Sequence, residues 1–562
     1  MTSLANVLNI FGGRIRRNDA LLVNTQDEMY KMEEHLKTLD TQYDTMDKKY
    51  DELENIVKKE FVEPSSFDGY GNNIQNKLWG SSNTALLRKA PSMYADGKST
   101  LSVRGTKNPN PRVISNSICK ATNLVKNKSG LTDMIWVWGQ FVDHELDLTP
   151  DNKEEKAYIT TDDNDPNEEY KGRTIFFHRS KSVENSEPRE HPNVISSYMD
   201  STNVYGATLQ RNLELRKLDG SGKLKYSLSD NKETIMHKNT SGLPNGGLPG
   251  QDSKTLFVAG DVRSNENILL TSIHTIFVRE HNRICDILVQ NDPTLQGRDD
   301  VIFQKARRIV NAIIQKITYE EFLPAIFGSN MFETYSKYDT TIDAGVTTEF
   351  STIGFRLGHS MLSSTIQVGE DSKNTILLKD AFFTPSYIQE HGVDELLVGA
   401  TKTLMKKIDH QIIDDVRNFL FGPPTNSHLL DLATLNIQRG RGHGIPGYNA
   451  VRKAYGLTEK TFSQISSNTE LVSKLENLYD TPNDIDPWIG ALCEDHVPGS
   501  EAGELILEIM KDQFLRARNG DRFWYQNDKA FTTFEKTIFG GSTLASVLSA
   551  NTGRSFSNSF RR

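Results

Sequence analysis

The stretch Trp138-Gly139-Gln140-Phe141-Val142-Asp143-His144-Glu145-Leu146-Asp147-Leu148-Thr149-Pro150 decides how this chain is read. On a helix, Gln140, Asp143 and His144 stand at i, i+3 and i+4, so their three side chains leave one face. That face offers an amide, a carboxylate and an imidazole beside Trp138 and Phe141. A single histidine on an apolar face is ordinarily a core residue. This one acquires meaning from partners elsewhere in the chain.

Four more segments follow in order. The first is Ser196-Ser197-Tyr198-Met199-Asp200-Ser201-Thr202-Asn203-Val204-Tyr205-Gly206. The second is Ala259-Gly260-Asp261-Val262-Arg263-Ser264-Asn265-Glu266, which runs on into Val278-Arg279-Glu280-His281-Asn282-Arg283. The third is Phe355-Arg356-Leu357-Gly358-His359, and the fourth is Leu435-Asn436-Ile437-Gln438-Arg439-Gly440-Arg441-Gly442-His443-Gly444. Upstream stand Phe67-Asp68-Gly69-Tyr70-Gly71-Asn72-Asn73 and Tyr94-Ala95-Asp96-Gly97. In this order and spacing the segments resemble the animal haem peroxidase superfamily, from about residue 65 to 550.

The resemblance implies haem b as cofactor and hydrogen peroxide as oxidant, with turnover through a ferryl intermediate. Small reducing substrates follow from it: phenols, bromide, iodide or thiocyanate. Breaking the O–O bond requires a group that takes a proton from one oxygen and returns it to the other, which suits an imidazole near neutral pH. His144 matches that position. A fixed cation stabilises charge on the leaving oxygen, and Arg263 fits because it keeps its charge. Gln140 resembles the family's distal amide. His359 matches the axial iron ligand, and Asn436 is expected to accept a hydrogen bond from its other ring nitrogen. Arg356 and Arg439 are placed to pair with haem propionates.

Asp143 and Glu266 match the positions that form ester bonds to haem in relatives. Glu266 follows Arg263 by three, so a helix there would aim both at one cavity. Asn267 stands where the myeloperoxidase pattern has a sulfonium-forming Met, which argues against chloride as a donor. Hard oxygen ligands suit calcium, and the resemblance implies a calcium site from Glu145, Ser196, Tyr198, Asp200 and Thr202. Glu145 departs from the family's Asp there. Gly442 departs from another family Asp, with the expected loss of a nearby salt bridge.

Composition and charge agree with an enzyme of this type. A net charge of -9 with no basic stripe argues against nucleic acid, and no apolar run is long enough for a transmembrane segment. Cys119, Cys285 and Cys493 are too few for a disulfide framework. Met1 to Asp19 carries its arginines after its apolar stretch, the reverse of a secretory signal. This favours a cytoplasmic protein, although the family's habit is extracellular.

Three units are expected: residues 1–60 with a coiled coil, a peroxidase domain over 61–550, and a flexible tail over 551–562. Leu22, Met29, Leu36, Tyr43, Tyr50 and Val57 recur every seven residues, with Thr25, Met32, Leu39, Met46 and Leu53 three further on. This a/d pattern over about 22–57 predicts a coiled-coil helix and a homo-oligomer. In the remainder, helical periodicity dominates, as in Ile268–Phe277 and in Val301, Ile309, Ile313 and Ile317. The fold is read as mainly α with few short strands.

Two other functions share the fold. Cyclooxygenase-like fatty-acid dioxygenases place a radical-forming Tyr three residues before the proximal histidine, where this chain has Arg356. Peroxinectin-type proteins also promote cell adhesion, yet the chain has no Arg-Gly-Asp or Lys-Gly-Asp. A complete set of catalytic residues favours the peroxidase.

Overall fold

The computed structural model describes residues 65–421 and 429–562. The coiled-coil stripe over 22–57 lies outside the described residues. The helix expected from the opening motif is α1, Met134–Leu146. It is buried on nearly all sides, and only Gly139, Gln140 and Asp143 are half-buried. An apolar circumference of this kind belongs to a helix inside a large core.

The apolar stripe at Ile268–Phe277 becomes α2, Ile268–Asn291, and that at Val301–Ile317 becomes α3, Asp299–Ile317. The Asn267 side chain caps α2 by accepting from the Leu270 N–H at 2.9 Å. Aromatic rings join α1 to α2. Phe141 stacks on Phe277 with centroids 5.1 Å apart, and Trp138 lies 5.8 Å from Phe277. A π-helical turn, Phe350–Gly354, leads directly into a 3-10 turn, Phe355–Ser360. This break in helical regularity presents His359, and such breaks gather at functional sites.

Three further helices complete the surroundings of the site: α4 Leu432–Gly442, α5 Pro487–Cys493 and α6 Glu504–Asn519. A Cβ at Gly354 would come within 2.5 Å of Ile509 on α6, so the close approach of the π turn to α6 requires glycine. Asp431 caps α4, accepting from the Ala433 and Thr434 N–H groups at 2.9 and 3.2 Å. Its second oxygen accepts from buried Arg112 at 2.7 Å. Strands among the described residues form two-stranded antiparallel ribbons such as Thr365–Gln367 with Thr375–Leu377. The architecture is mainly α with few short strands.

The Ser-, Asn- and Arg-rich residues 551–562 meet the segment before α1. Thr132 N–H donates to Phe560 O at 3.0 Å and Arg562 N–H to Gly130 O at 2.8 Å. Phe560 is buried, 6.3 Å from Trp138 and 6.0 Å from Phe322 by ring centroids. One aromatic anchor and a short antiparallel pairing outweigh the polar composition around them.

Candidate active site

A cavity of about 390 Å³ is lined by residues from α1, the 261–267 turn, the 355–361 turn and α4. Gln140, Asp143, His144, Arg263 and Glu266 all reach it, as do Arg356, His359 and Arg439. The fold thus brings together residues up to three hundred positions apart.

On one wall α1 supplies the imidazole and the 261–267 turn supplies the cation. Arg263 is clamped by Asp261, a residue the motif reading left without a role. Asp261 Oδ1 accepts from Arg263 N–H at 2.7 Å and from Nε at 3.0 Å, and Oδ2 accepts from Nη2 at 2.8 Å. The same Oδ1 lies 3.5 Å from His144 Nδ1. One carboxylate therefore holds the guanidinium by hydrogen bonds and lies beside the imidazole, whose Nδ1 has no hydrogen-bond partner among the described residues. Burial alone would raise the Asp261 pKa, but Arg263 overcomes this and keeps the group ionised. The only sequence signal was a carboxylate two positions before an arginine.

Arg263 Nη2 also donates to Asp147 O at 2.9 Å, and Nη1 lies 4.0 Å from Asp143 Oδ2. Burial and the Arg263 charge push His144 well below its ordinary 6.5, leaving a neutral imidazole. Gln140 Oε1 accepts from Asn267 Nδ2 at 2.8 Å, which fixes the Gln140 amide.

The expected helix from Arg263 to Glu266 is a turn instead. Glu266 N–H donates to Arg263 O at 2.9 Å, and α2 begins only after Asn267. Both side chains still face the cavity. The turn is held against the 202–206 segment because a Cβ at Gly260 would fall 2.3 Å from Thr202 O. Burial raises Asp143 and Glu266 to about 7 each, against the opposing pull of Arg263. Asp147 adds to the rise at Asp143.

His359 lines the same cavity and meets Asn436, whose amide nitrogen is 2.6 Å from His359 Nδ1. The contact matches the expected pair, but the amide is turned the other way. Its oxygen accepts from Arg356 Nη1 at 2.6 Å, and a guanidinium can only donate. Arg356 also donates from Nε to Ser351 O at 2.8 Å and makes no ion pair among the described residues. Burial pushes His359 down to about 3, with Arg356 adding to the effect, so the ring is neutral. Arg439 donates to Asp151 Oδ1 and Ser180 Oγ at 2.8 and 2.7 Å.

A flat ring with two carboxylates and an iron centre suits these walls. A neutral imidazole faces in from one side and a polar pocket from the other. Arg356 is a half-buried cation without an ion pair among the described residues.

The expected calcium residues also converge. Glu145 accepts from the N–H groups of Ser201 and of Asn203, the latter at 3.0 Å. Thr202 Oγ1 donates to Glu145 O at 3.2 Å, and Ser196 Oγ to Asp200 Oδ2 at 2.7 Å. Tyr198 N–H donates to Ser196 Oγ at 3.2 Å. Asp200 Oδ1 is buried without a side-chain hydrogen-bond partner among the described residues. Burial raises Asp200 to about 7 and carries Glu145 well above its ordinary value, with Asp200 adding to the rise at Glu145. Among the described residues no three His, Cys, Asp or Glu side chains converge as metal ligands. A cation here would rest on two carboxylates plus hydroxyl and carbonyl oxygens, a hard donor set suited to calcium.

The helical fold thus brings two imidazoles to one cavity, one beside a fixed arginine and the other in contact with an amide. The animal haem peroxidase family profile matches residues 65–559. Human eosinophil peroxidase is 33% identical over 541 residues, covering 86% of this chain and 74% of that protein. Peroxinectin A of Dictyostelium discoideum is 34% identical over 482 residues, covering 82% of this chain and 88% of that one. The solved structure of peroxidase A from Dictyostelium discoideum superposes with a TM-score of 0.81 at 32% identity, covering 89% of this chain and 100% of that chain. The chain belongs to the animal haem peroxidase family. It is a haem peroxidase, an oxidoreductase that uses hydrogen peroxide and a reducing substrate. No helix among the described residues is long and apolar enough to cross a membrane.

Proposed function

We propose that the chain reduces hydrogen peroxide with His144 and Arg263 and oxidises small donors, namely phenols, bromide, iodide or thiocyanate. The observation that carries this reading is the single Asp261 carboxylate that clamps Arg263 and faces His144 across the cavity from His359. Haem, when bound, supplies the iron that accepts oxidising equivalents from peroxide and passes them to the donor. The protein's part is proton handling and charge. His144, held neutral, takes a proton from the bound peroxide and returns it to the departing oxygen. Arg263 stands ready for the charge on that oxygen. His359 would hold the iron and Arg356 a propionate.

Asn267, fixed as helix cap and as partner of Gln140, offers no sulfur to haem. Chloride is therefore expected to be the slowest halide. Peroxide consumption by the holoenzyme should match donor oxidation for bromide, iodide, thiocyanate or a simple phenol. Consumption with none of these donors oxidised refutes the donor class.

Asp143 and Glu266 are proposed as ester links to haem. Their half-buried carboxyls, raised to about 7, are available in protonated form near neutrality. After peroxide treatment, acid–organic extraction should leave haem on the chain, as read by intact mass. The double variant Asp143→Asn, Glu266→Gln should release it, and release from the untreated and treated wild type alike contradicts the assignment.

The Glu145, Ser196, Tyr198, Asp200 and Thr202 set is proposed to hold calcium, with Asp200 Oδ1 as the open oxygen. Calcium at a hundred times its Kd should add about 2.7 kcal/mol to stability. A thermal midpoint unmoved by chelator and by added calcium contradicts the site.

A further inference from the structure

A second pair of imidazoles lies beside the cavity and takes no part in the chemistry above. His443 lines the cavity together with Ser180, whose Oγ is 2.8 Å from His443 Nε2. The His443 ring stacks on that of His191, with centroids 3.8 Å apart and planes tilted by 22°. His191 Nδ1 lies 2.8 Å from Lys181 O. A carbonyl can only accept, so Nδ1 carries the hydrogen and Nε2 keeps a free lone pair. That lone pair faces the Tyr94 hydroxyl at 3.5 Å. The hydroxyl donates to Arg189 O at 2.8 Å. The Tyr94 ring packs on Gly444, where a Cβ would fall 2.5 Å away.

Three rings thus run in van der Waals sequence from the cavity wall to a buried phenol. Burial keeps both imidazoles neutral, and the surrounding arginine charges add to the effect. Arg88, Arg179 and Arg189 surround Tyr94, with Glu190 and Glu155 as partners of Arg88 and Arg189. Burial pushes His191 down to about 3; the Lys181 carbonyl pulls the other way, and Arg189, Arg88 and Arg179 add to the fall. Before oxidation the neutral stacked pair provides electronic contact between the cavity wall and Tyr94. Of the two acceptors at the Tyr94 hydroxyl, only the imidazole can keep a proton.

We propose that Tyr94 is a redox-active residue, oxidised by the peroxide-treated enzyme through the His443–His191 stack while His191 Nε2 receives its proton. The inference rests on the peroxidase reading, which supplies the oxidant. Peroxide leaves the enzyme two equivalents oxidised. Tyr94 returns one electron, its O–H bond breaks, and the products are a neutral phenoxyl and a protonated His191. A reducing donor later returns the electron, and His191 returns the proton. One oxidising equivalent is thereby held outside the cavity, next to exposed Met93.

A second phenol–imidazole pair serves as the internal comparison. Tyr205 Oη is 2.9 Å from His281 Nδ1, a shorter contact, but neither residue lines the cavity. If hydrogen-bond quality alone chose the site, Tyr205 would be oxidised; if contact with the cavity chooses it, Tyr94 is.

The test is electron paramagnetic resonance of haem-loaded protein frozen after peroxide is added without donor, for wild type, Tyr94→Phe and Tyr205→Phe. Mass spectrometry of wild type treated with a nitroso spin trap maps the radical without any substitution. The expected result is a tyrosyl signal in wild type and Tyr205→Phe that falls to background in Tyr94→Phe, with the trap on Tyr94. A signal unchanged in Tyr94→Phe, a trap found only on other residues, or no tyrosyl signal in wild type overturns the proposal. The Soret band of the same samples reports separately on peroxide. If it shifts, a failure belongs to the relay alone; if it does not, the peroxidase reading falls and the relay with it.

Discussion

Replacing His144 by alanine is expected to slow the reaction of the haem-loaded protein with hydrogen peroxide by about 10²- to 10⁴-fold, the usual worth of a positioned general base. The geometry confines the loss to that step. His144 is buried on α1 and approaches Asp261 without bonding the proximal wall, so haem loading through His359 should persist. Stopped-flow absorbance against peroxide concentration measures the step directly. The wild-type rate should also stay flat as pH falls through 6.5, the ordinary histidine value, because burial and Arg263 hold His144 neutral well below it. The sign follows from the chemistry: a base must be unprotonated to act, and a lowered pKa extends its working range toward acid. A wild-type rate that halves near 6.5, or a His144→Ala rate within a few-fold of wild type, contradicts the assignment.

The second large effect is on stability. Asp486→Ala should destabilise the domain by about 3–5 kcal/mol, the cost of removing one partner of a buried ion pair. Asp486 Oδ1 accepts from Arg104 Nε and Arg441 Nε, both at 2.9 Å. Oδ2 accepts from Arg441 Nη2 at 2.7 Å and from the Tyr479 hydroxyl at 2.9 Å. All three charged residues are buried. Truncation would leave two guanidinium groups unpaired inside the protein. It would also free the end of α4, whose earlier turns carry Asn436 and Arg439. Tyr479→Phe removes one hydrogen bond and no charge, so it should cost roughly 1 kcal/mol. Urea denaturation of both variants gives the comparison, and equal midpoints would mean that Asp486 is not the organising charge.

The parts legible in the sequence are those written in short-range patterns. A three-and-four spacing set Gln140, Asp143 and His144 on one face, and the apolar stripes of α2 and α3 followed from periodicity alone. His359 and Asn436 met because each belongs to a motif whose partner is known by resemblance. What stayed hidden depends on contacts between distant segments. Asp261 acquires its role only when the turn after Gly260 lies against α1. The orientation of the Asn436 amide is decided by Arg356, eighty positions earlier, whose guanidinium cannot accept a hydrogen bond. The chain end docks through one phenylalanine in a polar stretch, a signal too small for composition to carry. The 261–266 segment has helix-like spacing, but the N-cap at Asn267 begins the helix later.

The most direct measurement is the absorption spectrum of purified haem-loaded protein before and after hydrogen peroxide, with bromide and a phenol as donors. A Soret band that shifts on peroxide and returns as donor is consumed is the predicted result. It should be nearly lost in His144→Ala and Arg263→Leu while haem content is kept. Protein that takes up no haem, or whose haem spectrum ignores peroxide, would contradict the account.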